Sequence, residues 1–302
     1  MRSRIFSGIC LVCVLIFTAC TPQATAAPTS LPTQPPVTAT QSPVTTVPEA
    51  TGTVVASATQ PPAVTLNVFA AASLTAAFGD IGKAFQAAHP GVTVTFNFAG
   101  SQALSTQINA AAPVDVFASA NQSQMDVVTK AGRIDASAPK TFVKNRLVVI
   151  FPKANPAGIQ TLQDLAKPGV KLVLADKTVP VGQYALTYLD NAVKDGSMGA
   201  TYKDDVLKNV VSYELDVKSV LSKVELGEAD AGIVYTTDAA SDTAGKTGQI
   251  AIPDALNVIA VYPIAAVKDS PNLALAQAFV DYVLSSDGQA VLTKYGFISV
   301  QP

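Results

Sequence analysis

The chain has 302 residues and a formal net charge of −2, from 20 basic and 22 acidic side chains. A near-neutral chain without a basic run has no electrostatic surface for nucleic acid, so we expect no nucleic-acid binding. Its three cysteines all lie within the first twenty residues. The rest of the chain therefore has no thiol for a disulfide or a thiolate metal site.

The first twenty residues have the pattern of a secretory signal. Arg2 and Arg4 precede an apolar run over 9–17, which is too short for a stable membrane span. The segment ends in Phe17-Thr18-Ala19-Cys20, which resembles the bacterial lipoprotein signal, where the cysteine is lipidated and becomes the new N-terminus. We expect residues 1–20 to be a signal peptide cleaved before Cys20. An ordinary signal peptide cut elsewhere is the alternative.

Residues 21–64 are expected to form a disordered tether. The segment consists almost wholly of Thr, Pro, Ala, Ser, Gln and Val, with nine prolines and one charged residue, Glu49. Such a composition buries too little apolar surface to offset the entropy of ordering the chain. A Pro-rich tether of this kind would hold a folded domain away from a membrane surface.

From residue 65 onward, short apolar strands alternate with amphipathic helices. The pattern predicts strands over 65–69, 92–98 and 114–119, followed by helices over 74–88, 102–110 and 123–131. This alternation is typical of a parallel α/β sheet. His89, the single histidine, lies in the His89-Pro90-Gly91 stop of the first helix, where we expect only a structural role.

A second series of the same kind follows. It predicts strands over 147–151, 170–175, 210–213 and 231–235 with helices over 182–192 and 217–226. The C-terminal part contains a strand over 262–267 and two helices, which do not make a sheet alone. We therefore expect a two-lobed α/β protein of mostly parallel sheets flanked by helices. Lobe I would comprise 65–143 and 263–302, and lobe II would comprise 144–262.

Four places combine a strand end or loop with the start of a helix. They are Ser73, Ser101, the turn over 180–182 and the turn over 215–217. Helix N-termini carry unpaired N–H groups and a partial positive charge, so several that converge can hold an oxyanion without Arg or Lys. Taken singly, each serine also fits a plain N-cap. Tyr235, at the end of an apolar strand, also fits a buried aromatic residue with a satisfied hydroxyl.

Several motifs resemble those of the molybdate-binding proteins of ABC importers, in the same order and with compatible spacing over nearly all of 65–302. They are Val68-Phe69-Ala70-Ala71-Ala72-Ser73-Leu74-Thr75, Phe98-Ala99-Gly100-Ser101, Ala112-Pro113-Val114-Asp115-Val116-Phe117-Ala118-Ser119-Ala120, Gly232-Ile233-Val234-Tyr235 and Lys294-Tyr295-Gly296-Phe297. The flanking Gly100 and Gln102 differ from the family, which often has extra serines there.

The resemblance implies a type II periplasmic-binding-protein fold with the ligand in the cleft between the lobes. Ser73 and Ser101 would bind the oxyanion from lobe I, Val181 and Val217 would donate backbone N–H groups from lobe II, and Tyr235 would donate its hydroxyl. Molybdenum would be held only through the oxygens of molybdate, with no direct protein ligand and no further cofactor. The implied partners are an ABC permease and, through the N-terminal lipid, the cell membrane. We expect a monomer outside the cytoplasm.

A shell made only of hydrogen-bond donors favours an anion without a proton, because hydrogen phosphate would leave its O–H without an acceptor. Sulfate would have to be rejected by size, while molybdate and tungstate are both expected ligands. Asp216 is the one acceptor near the proposed shell. We interpret it as an N-cap turned toward its own helix.

Two other functions are compatible with parts of the pattern. A receptor of the same fold for sulfate, phosphate or an organic solute is the first, although a carboxylate ligand would call for an arginine that the motifs lack. The second is a serine hydrolase using Ser73 or Ser101, which needs a base beside the nucleophile. The chain has only His89 to offer and no Gly-x-Ser-x-Gly segment, so we expect no enzymatic activity.

Overall fold

Two mixed β-sheets flanked by helices organise the chain in a computed structural model that describes residues 63–242 and 244–300. The proposed signal peptide, Cys20 and the tether up to residue 62 lie outside the described residues. All described residues fall within one compact unit, 58–302. No helix in these described ranges combines the length and apolarity that crossing a membrane requires.

The strands are β1 (Val64–Ala71), β2 (Val92–Ala99), β3 (Val116–Ala118), β4 (Lys140–Asn145), β5 (Leu147–Pro152), β6 (Leu172–Ala175), β7 (Val210–Glu214), β8 (Ala231–Tyr235), β9 (Thr247–Ala251), β10 (Ala260–Ala266) and β11 (Ile298–Ser299). The α-helices are α1 (Thr75–Ala88), α2 (Ser101–Asn109), α3 (Gln122–Lys130), α4 (Pro180–Asp195), α5 (Tyr202–Lys208), α6 (Val217–Glu225), α7 (Thr236–Ala240), α8 (Leu273–Leu284) and α9 (Ser286–Lys294). Two short 3-10 helices cover Ala72–Leu74 and Leu162–Ala166.

The strands form two sheets that use different stretches of the chain. The first sheet has six strands in the order β11-β4-β10-β3-β1-β2, and the second has five in the order β7-β6-β8-β5-β9. Thus β10 and β11, near the C-terminus, pair with strands from the beginning of the folded part. The expectation of two α/β sheets flanked by helices is confirmed.

The expectation that both sheets are mostly parallel was wrong. The described strand pairs are four parallel and five antiparallel. Strand–helix–strand units do give parallel pairs, namely β1 with β2 and β3, and β6 with β7 and β8. By contrast, β4, β5 and β10 carry the chain between the sheets, and they run antiparallel to their neighbours. Alternation of strands and helices does not reveal such connections.

The chain passes between the sheets at two adjacent connections. Arg146 alone separates β4 from β5, and residues 252–259 separate β9 from β10. Asn257 joins the two connections, because its Oδ1 accepts from Leu147 N–H at 3.0 Å and its Nδ2 donates to Leu147 O at 2.9 Å. The first sheet therefore extends to Asn145 and resumes at Ala260, whereas the sequence placed the crossings after 143 and before 263.

Each sheet is packed between helices, so its strand ends are held in fixed positions. On one face of the first sheet, Phe78 packs against Phe142 and Phe279 with ring centroids 5.8 and 6.1 Å apart. Leu104 and Met125, from α2 and α3, are fully buried in a separate cluster with Phe69 and Phe117 of the sheet. Burial of such side chains stabilises the fold by about 1.5–3 kcal/mol each.

Candidate functional site

Strand ends from both sheets and the helix starts that follow them meet around one small cavity. The first sheet contributes the ends of β1 and β2, and the second contributes the end of β8 and the starts of α4 and α6. The lining residues are Ala71, Ala72, Ser73, Ala99, Gly100, Ser101, Ala120, Val179, Pro180, Val181, Val217 and Tyr235. The structure therefore brings together all five residues that the sequence singled out.

Ser73 lies in the one-turn 3-10 helix between β1 and α1, and it is 6% exposed. Its Oγ is 3.0 Å from the hydroxyl oxygen of Tyr262 on β10. The N-cap position of α1 is Leu74, and no side chain caps this helix. The capping interpretation of Ser73 is therefore wrong, and its hydroxyl is directed across the sheet instead.

Ser101 is the first residue of α2 and is 1% exposed. The N-cap is Gly100, whose backbone carbonyl accepts from the N–H groups of Ala103 and Leu104. The Oγ of Ser101 accepts a hydrogen bond from the backbone N–H of Ala120 at 3.0 Å. Ser101 is thus not a side-chain cap either. Because a backbone N–H can only donate, the hydroxyl proton of Ser101 stays available to the cavity.

The second sheet presents two helix N-termini to the same cavity. Pro180 is the first residue of α4 and Val181 the second, and Val217 is the first residue of α6. Proline suits this position because the first N–H of a helix has no partner within the helix. The N–H groups of Val181 and Val217 likewise have no intrahelical acceptor. Their valine side chains are buried, so only the backbone offers polar groups here.

Tyr235 ends β8 and is 1% exposed. Tyr235 is one of the residues that line the cavity, and its buried hydroxyl has no hydrogen-bond partner among the described residues. Leaving a buried hydroxyl unpaired costs about 1–3 kcal/mol. Burial, together with the nearby hydroxyls of Tyr262 and Tyr184, raises the pKa of Tyr235 well above its ordinary value. The group is therefore a neutral, unpaired hydroxyl on a residue that lines the cavity, not the satisfied hydroxyl of an ordinary core tyrosine.

The charged side chains beside the cavity have partners within the protein. Lys218 on α6 forms an ion pair with the buried Asp238 at 2.9 Å. The carboxylate of Asp216 accepts from the N–H and the hydroxyl of Ser219, at 3.0 and 2.9 Å. The interpretation of Asp216 as the N-cap of its own helix is confirmed. The lining of the cavity carries no charged side chain.

Hydrogen bonds close the rim of the cavity between residues of the two sheets. Gln102 Nε2 donates to the backbone oxygen of Leu215 at 2.7 Å. On another side, Asn121 Nδ2 donates to Gln183 Oε1 at 2.8 Å. Gly100 touches the same Leu215 carbonyl so closely that a Cβ atom would lie well inside 3.0 Å of its oxygen. The two sides of the site are in direct contact.

Sequence reasoning missed three residues of the site. Gly100 was noted only as a departure from the family pattern, Ala120 only as part of a motif, and Tyr262 only as part of a strand. The backbone N–H of Ala120 holds Ser101, and the Tyr262 hydroxyl holds Ser73. These contacts join residues 19 and 189 positions apart, so no local pattern reveals them.

The arrangement can hold a small anion through donors alone. Three hydroxyls and two helix N-termini surround it, while the nearest carboxylates are engaged elsewhere. Across the described part of the chain, no group of three His, Cys, Asp or Glu side chains could hold a metal ion directly. A ligand bound here would therefore meet hydrogen-bond donors and not metal-ligating side chains.

Comparisons with known proteins agree with this geometry. The family of bacterial extracellular solute-binding proteins matches residues 66–298. The molybdate-binding protein ModA of Mycobacterium tuberculosis (strain H37Rv) is 42% identical over 230 residues, which cover 76% of this chain and 83% of the relative.

Solved structures show the same fold. The substrate-binding domain of a putative molybdenum ABC transporter from Clostridium difficile is 31% identical, with a TM-score of 0.58 over 78% of this chain and 99% of that one. The sulfate-binding protein SubI of M. tuberculosis H37Rv has a TM-score of 0.73 at 20% identity, over 79% of this chain and 88% of that one. The second likeness concerns the fold alone. Together these matches confirm the resemblance drawn from the motifs, and the chain belongs to the bacterial extracellular solute-binding proteins.

Proposed function

We propose that this chain captures molybdate or tungstate outside the cytoplasm and delivers it to an ABC permease. The observation that carries the proposal is the buried hydroxyl of Tyr235, which has no partner among the described residues, on a residue that lines the same small cavity as Ser73, Ser101 and two helix N-termini. The relatives with 42% and 31% identity are named for molybdate and molybdenum. In this proposal Ser73, Ser101, Val181, Val217 and Tyr235 bind the four oxygens of the anion.

The donor-only lining supports a fully deprotonated oxyanion. Asp216 caps its own helix and Asp238 pairs with Lys218, so neither offers an acceptor to a protonated ligand. A hydrogen phosphate would bury an O–H group without an acceptor, at a cost of about 1–3 kcal/mol. Sulfate has no such penalty, and it would be selected against by its smaller size.

Membership of a family of solute-binding proteins argues against the serine-hydrolase alternative. The geometry gives the physical reason. His89 lies at the far end of the 14-residue helix α1 from Ser73, and its Nδ1 is 2.9 Å from Phe85 O. A 14-residue helix is about 21 Å long, so this imidazole is out of reach of the Ser73 hydroxyl.

The two sheets support a division into two lobes that close on the ligand. We assign 63–145 and 260–300 to lobe I and 146–259 to lobe II, two or three residues from the boundaries expected from the sequence. Arg146 and the 252–259 connection would serve as the hinge. Because each lobe supplies part of the shell, ligand binding favours the closed arrangement.

The signal pattern before Cys20 and the Pro-rich segment after it support a lipid-anchored protein on a tether. Export with lipidation would place the binding domain beside a permease in the same membrane. Labelling cells that express the chain with a radioactive fatty acid tests the anchor. We expect label in the wild type and none in Cys20→Ala, and label retained in Cys20→Ala would contradict the assignment.

Stabilisation by the bound anion tests the proposed ligand directly. At a hundredfold excess over Kd, molybdate should stabilise the fold by about 2.7 kcal/mol, and tungstate should act likewise. We expect a rise in melting temperature that sulfate and phosphate at equal concentration do not reproduce. A competition titration with the four anions gives their order. If neither molybdate nor tungstate shifts the melting temperature, the proposed function is wrong.

Replacing Tyr235 by phenylalanine should affect stability and binding in opposite directions. The hydroxyl has no partner among the residues that the structure describes, so the ligand-free variant should unfold at the same temperature as the wild type or slightly above it. Molybdate affinity should fall by about 1.5–3 kcal/mol, because a hydrogen bond to a charged group is lost. Isothermal titration and thermal unfolding measure the two effects.

Tyr188→Phe is the matched control for this change. Its buried hydroxyl is 3.0 Å from that of Tyr202 in lobe II, away from the cavity. This variant should lose stability and keep its affinity. An unchanged affinity in Tyr235→Phe would remove Tyr235 from the site.

A further inference from the structure

We propose that Asn145 and Tyr262 form a hydrogen-bond relay that turns the hydroxyl proton of Ser73 toward the ligand. Both are then positioning residues of the anion site, although neither lines the cavity. The inference rests on the proposed function, because it concerns how the shell is made to consist only of donors.

The relay begins at Asn145, the last residue of β4, which is fully buried. Its Oδ1 accepts from the backbone N–H of Arg146 at 2.9 Å and from the hydroxyl of Thr236 at 3.0 Å. A backbone N–H can only donate, so the oxygen of this amide must face Arg146. The Nδ2 group is thereby fixed as a donor on the opposite side.

The two protons of Nδ2 have two acceptors. One is Thr237 Oγ1 at 2.9 Å, and the other is the Tyr262 hydroxyl oxygen at 3.5 Å. Because Asn145 donates to Tyr262, the tyrosine directs its own proton elsewhere. Its other partner within hydrogen-bond geometry is Ser73 Oγ at 3.0 Å, whereas the nearby Tyr235 hydroxyl does not meet that geometry. Ser73 then accepts from Tyr262, and its own proton is left for the cavity.

Ser101 reaches the same state by a shorter route. Its Oγ accepts from the backbone N–H of Ala120, so its hydroxyl proton also remains available to the cavity. Each serine oxygen therefore accepts a hydrogen bond from the protein, and each serine hydroxyl proton is left to bind the ligand. This common arrangement favours an anion with four bare oxygens over a ligand that needs an acceptor.

The relay also joins the site to the connection between the lobes. Asn145 adjoins Arg146, the single residue between β4 and β5. Its amide holds Thr236 and Thr237, which belong to α7 of lobe II, while Tyr262 and Ser73 belong to lobe I. The orientation of the Ser73 proton thus depends on the arrangement of the two lobes at the hinge.

The decisive test reverses the relay. In Asn145→Asp, a carboxylate replaces the donor, so Tyr262 turns its proton toward it and Ser73 must donate to Tyr262. The ligand loses the Ser73 donor, and the molybdate Kd should rise about 10- to 150-fold, as expected for one hydrogen bond to a charged group. Tyr262→Phe alone leaves the Ser73 proton free but unoriented, and should raise the Kd only about 2- to 10-fold.

The double variant Asn145→Asp with Tyr262→Phe should bind more tightly than Asn145→Asp alone. Removing the tyrosine hydroxyl releases the Ser73 proton, and the Kd should return to within about tenfold of the wild-type value. Repulsion between the new carboxylate and the anion would persist in the double variant and would give no rescue. A double variant that binds no better than Asn145→Asp contradicts the relay.

A double-mutant cycle of Tyr262→Phe and Ser73→Ala tests the relay if Asn145→Asp does not fold. Tyr262→Phe should weaken molybdate binding in the wild type and have no effect in a Ser73→Ala background, because its action passes through Ser73. Additive effects would overturn the inference, and Tyr188→Phe should leave the Kd unchanged in both backgrounds. If the wild-type chain binds none of the four anions, the proposed function is wrong as well. If the wild type binds molybdate but the effects of the two substitutions are additive, only the relay is wrong.

Discussion

Replacing Gly100 by alanine should reduce molybdate affinity by at least about 100-fold, because two or more charge-assisted hydrogen bonds of about 1.5–3 kcal/mol each are lost. A Cβ atom at this position would lie well inside 3.0 Å of the Leu215 backbone oxygen and of the Gln102 side-chain tip. The glutamine can move, but Leu215 O belongs to the backbone of the opposite lobe. The lobes could then not close, and the donors of lobe II would not reach a ligand held by Ser73 and Ser101.

The backbone conformation of Gly100 is not the reason for the glycine. Its φ of −59° and ψ of 136° are open to any residue, so the substitution should leave lobe I folded. In the proposed two-lobed arrangement, opening of the cleft would relieve the collision. The ligand-free melting temperature should therefore change little, while the stabilisation by molybdate should disappear.

Gly79→Ala is the matched control. Gly79 lies within α1, and a Cβ atom there would have nothing within 4 Å. Alanine should stabilise this helix by about 0.5–1 kcal/mol and leave molybdate affinity as it is. Isothermal titration and thermal unfolding of both variants, with and without molybdate, compare the two. Wild-type affinity in Gly100→Ala would show that this contact is not needed for binding.

Local sequence patterns predicted the parts of the site that lie on one strand–helix junction. Small residues running into Ser73 and Ser101 marked two helix starts, and the apolar run to Tyr235 marked a strand end. Val181 and Val217 carry no side-chain signal, because a backbone N–H is present whatever the side chain. The strand–helix pattern marked the turns over 180–182 and 215–217, and only the resemblance to a known family assigned a role to the N–H groups of these two residues.

Contacts between distant segments could not be predicted in this way. Gly100 meets Leu215 across the cleft, and Tyr262 reaches Ser73 only because β10 returns to the first sheet. The pairing order of the strands decides both contacts, and hydrophobic periodicity does not encode that order. Strands were missed from the sequence for a different reason, namely the lack of an apolar pattern. For example, β9 is an edge strand with a partly exposed, polar pattern, so it lacks the apolar run that marks a buried strand.

The second large effect is expected for Lys218→Met, which should destabilise the fold by up to about 4 kcal/mol at pH 7. Lys218 is the ion-pair partner of Asp238, whose side chain is fully buried. Removing one partner of a buried pair leaves an uncompensated charge. The Asp238 carboxyl then becomes neutral by binding a proton. Protonating a carboxyl whose unfolded-state pKa is about 3.9 costs about 4 kcal/mol at pH 7.

The loss should shrink as the pH falls. Burial already raises the pKa of Asp238 despite the opposing effect of Lys218, so the folded state holds a proton more tightly than the unfolded state. The resulting stability is complete below the unfolded pKa and is lost as the pH rises through the folded pKa. Without Lys218 the pKa should rise further. At pH 5, protonation costs only up to about 1.5 kcal/mol, and the variant should approach the wild type.

Lys223→Met tests whether burial of the partner is what matters. Lys223 lies on the same helix, and 33% of its side chain is exposed, against 31% for Lys218. It forms an ion pair at 2.6 Å with Glu214, whose side chain is 14% exposed. Glu214 also accepts a hydrogen bond from Ser212. Because water reaches this pair, its loss should cost only about 1 kcal/mol or less. Urea unfolding at pH 5 and pH 7 compares the variants.

Combining Lys218→Met with Asp238→Asn removes the buried charge, so stability at pH 7 should recover. If that double variant is as unstable as Lys218→Met, the lysine stabilises α6 by packing of its methylene groups and not by neutralising Asp238.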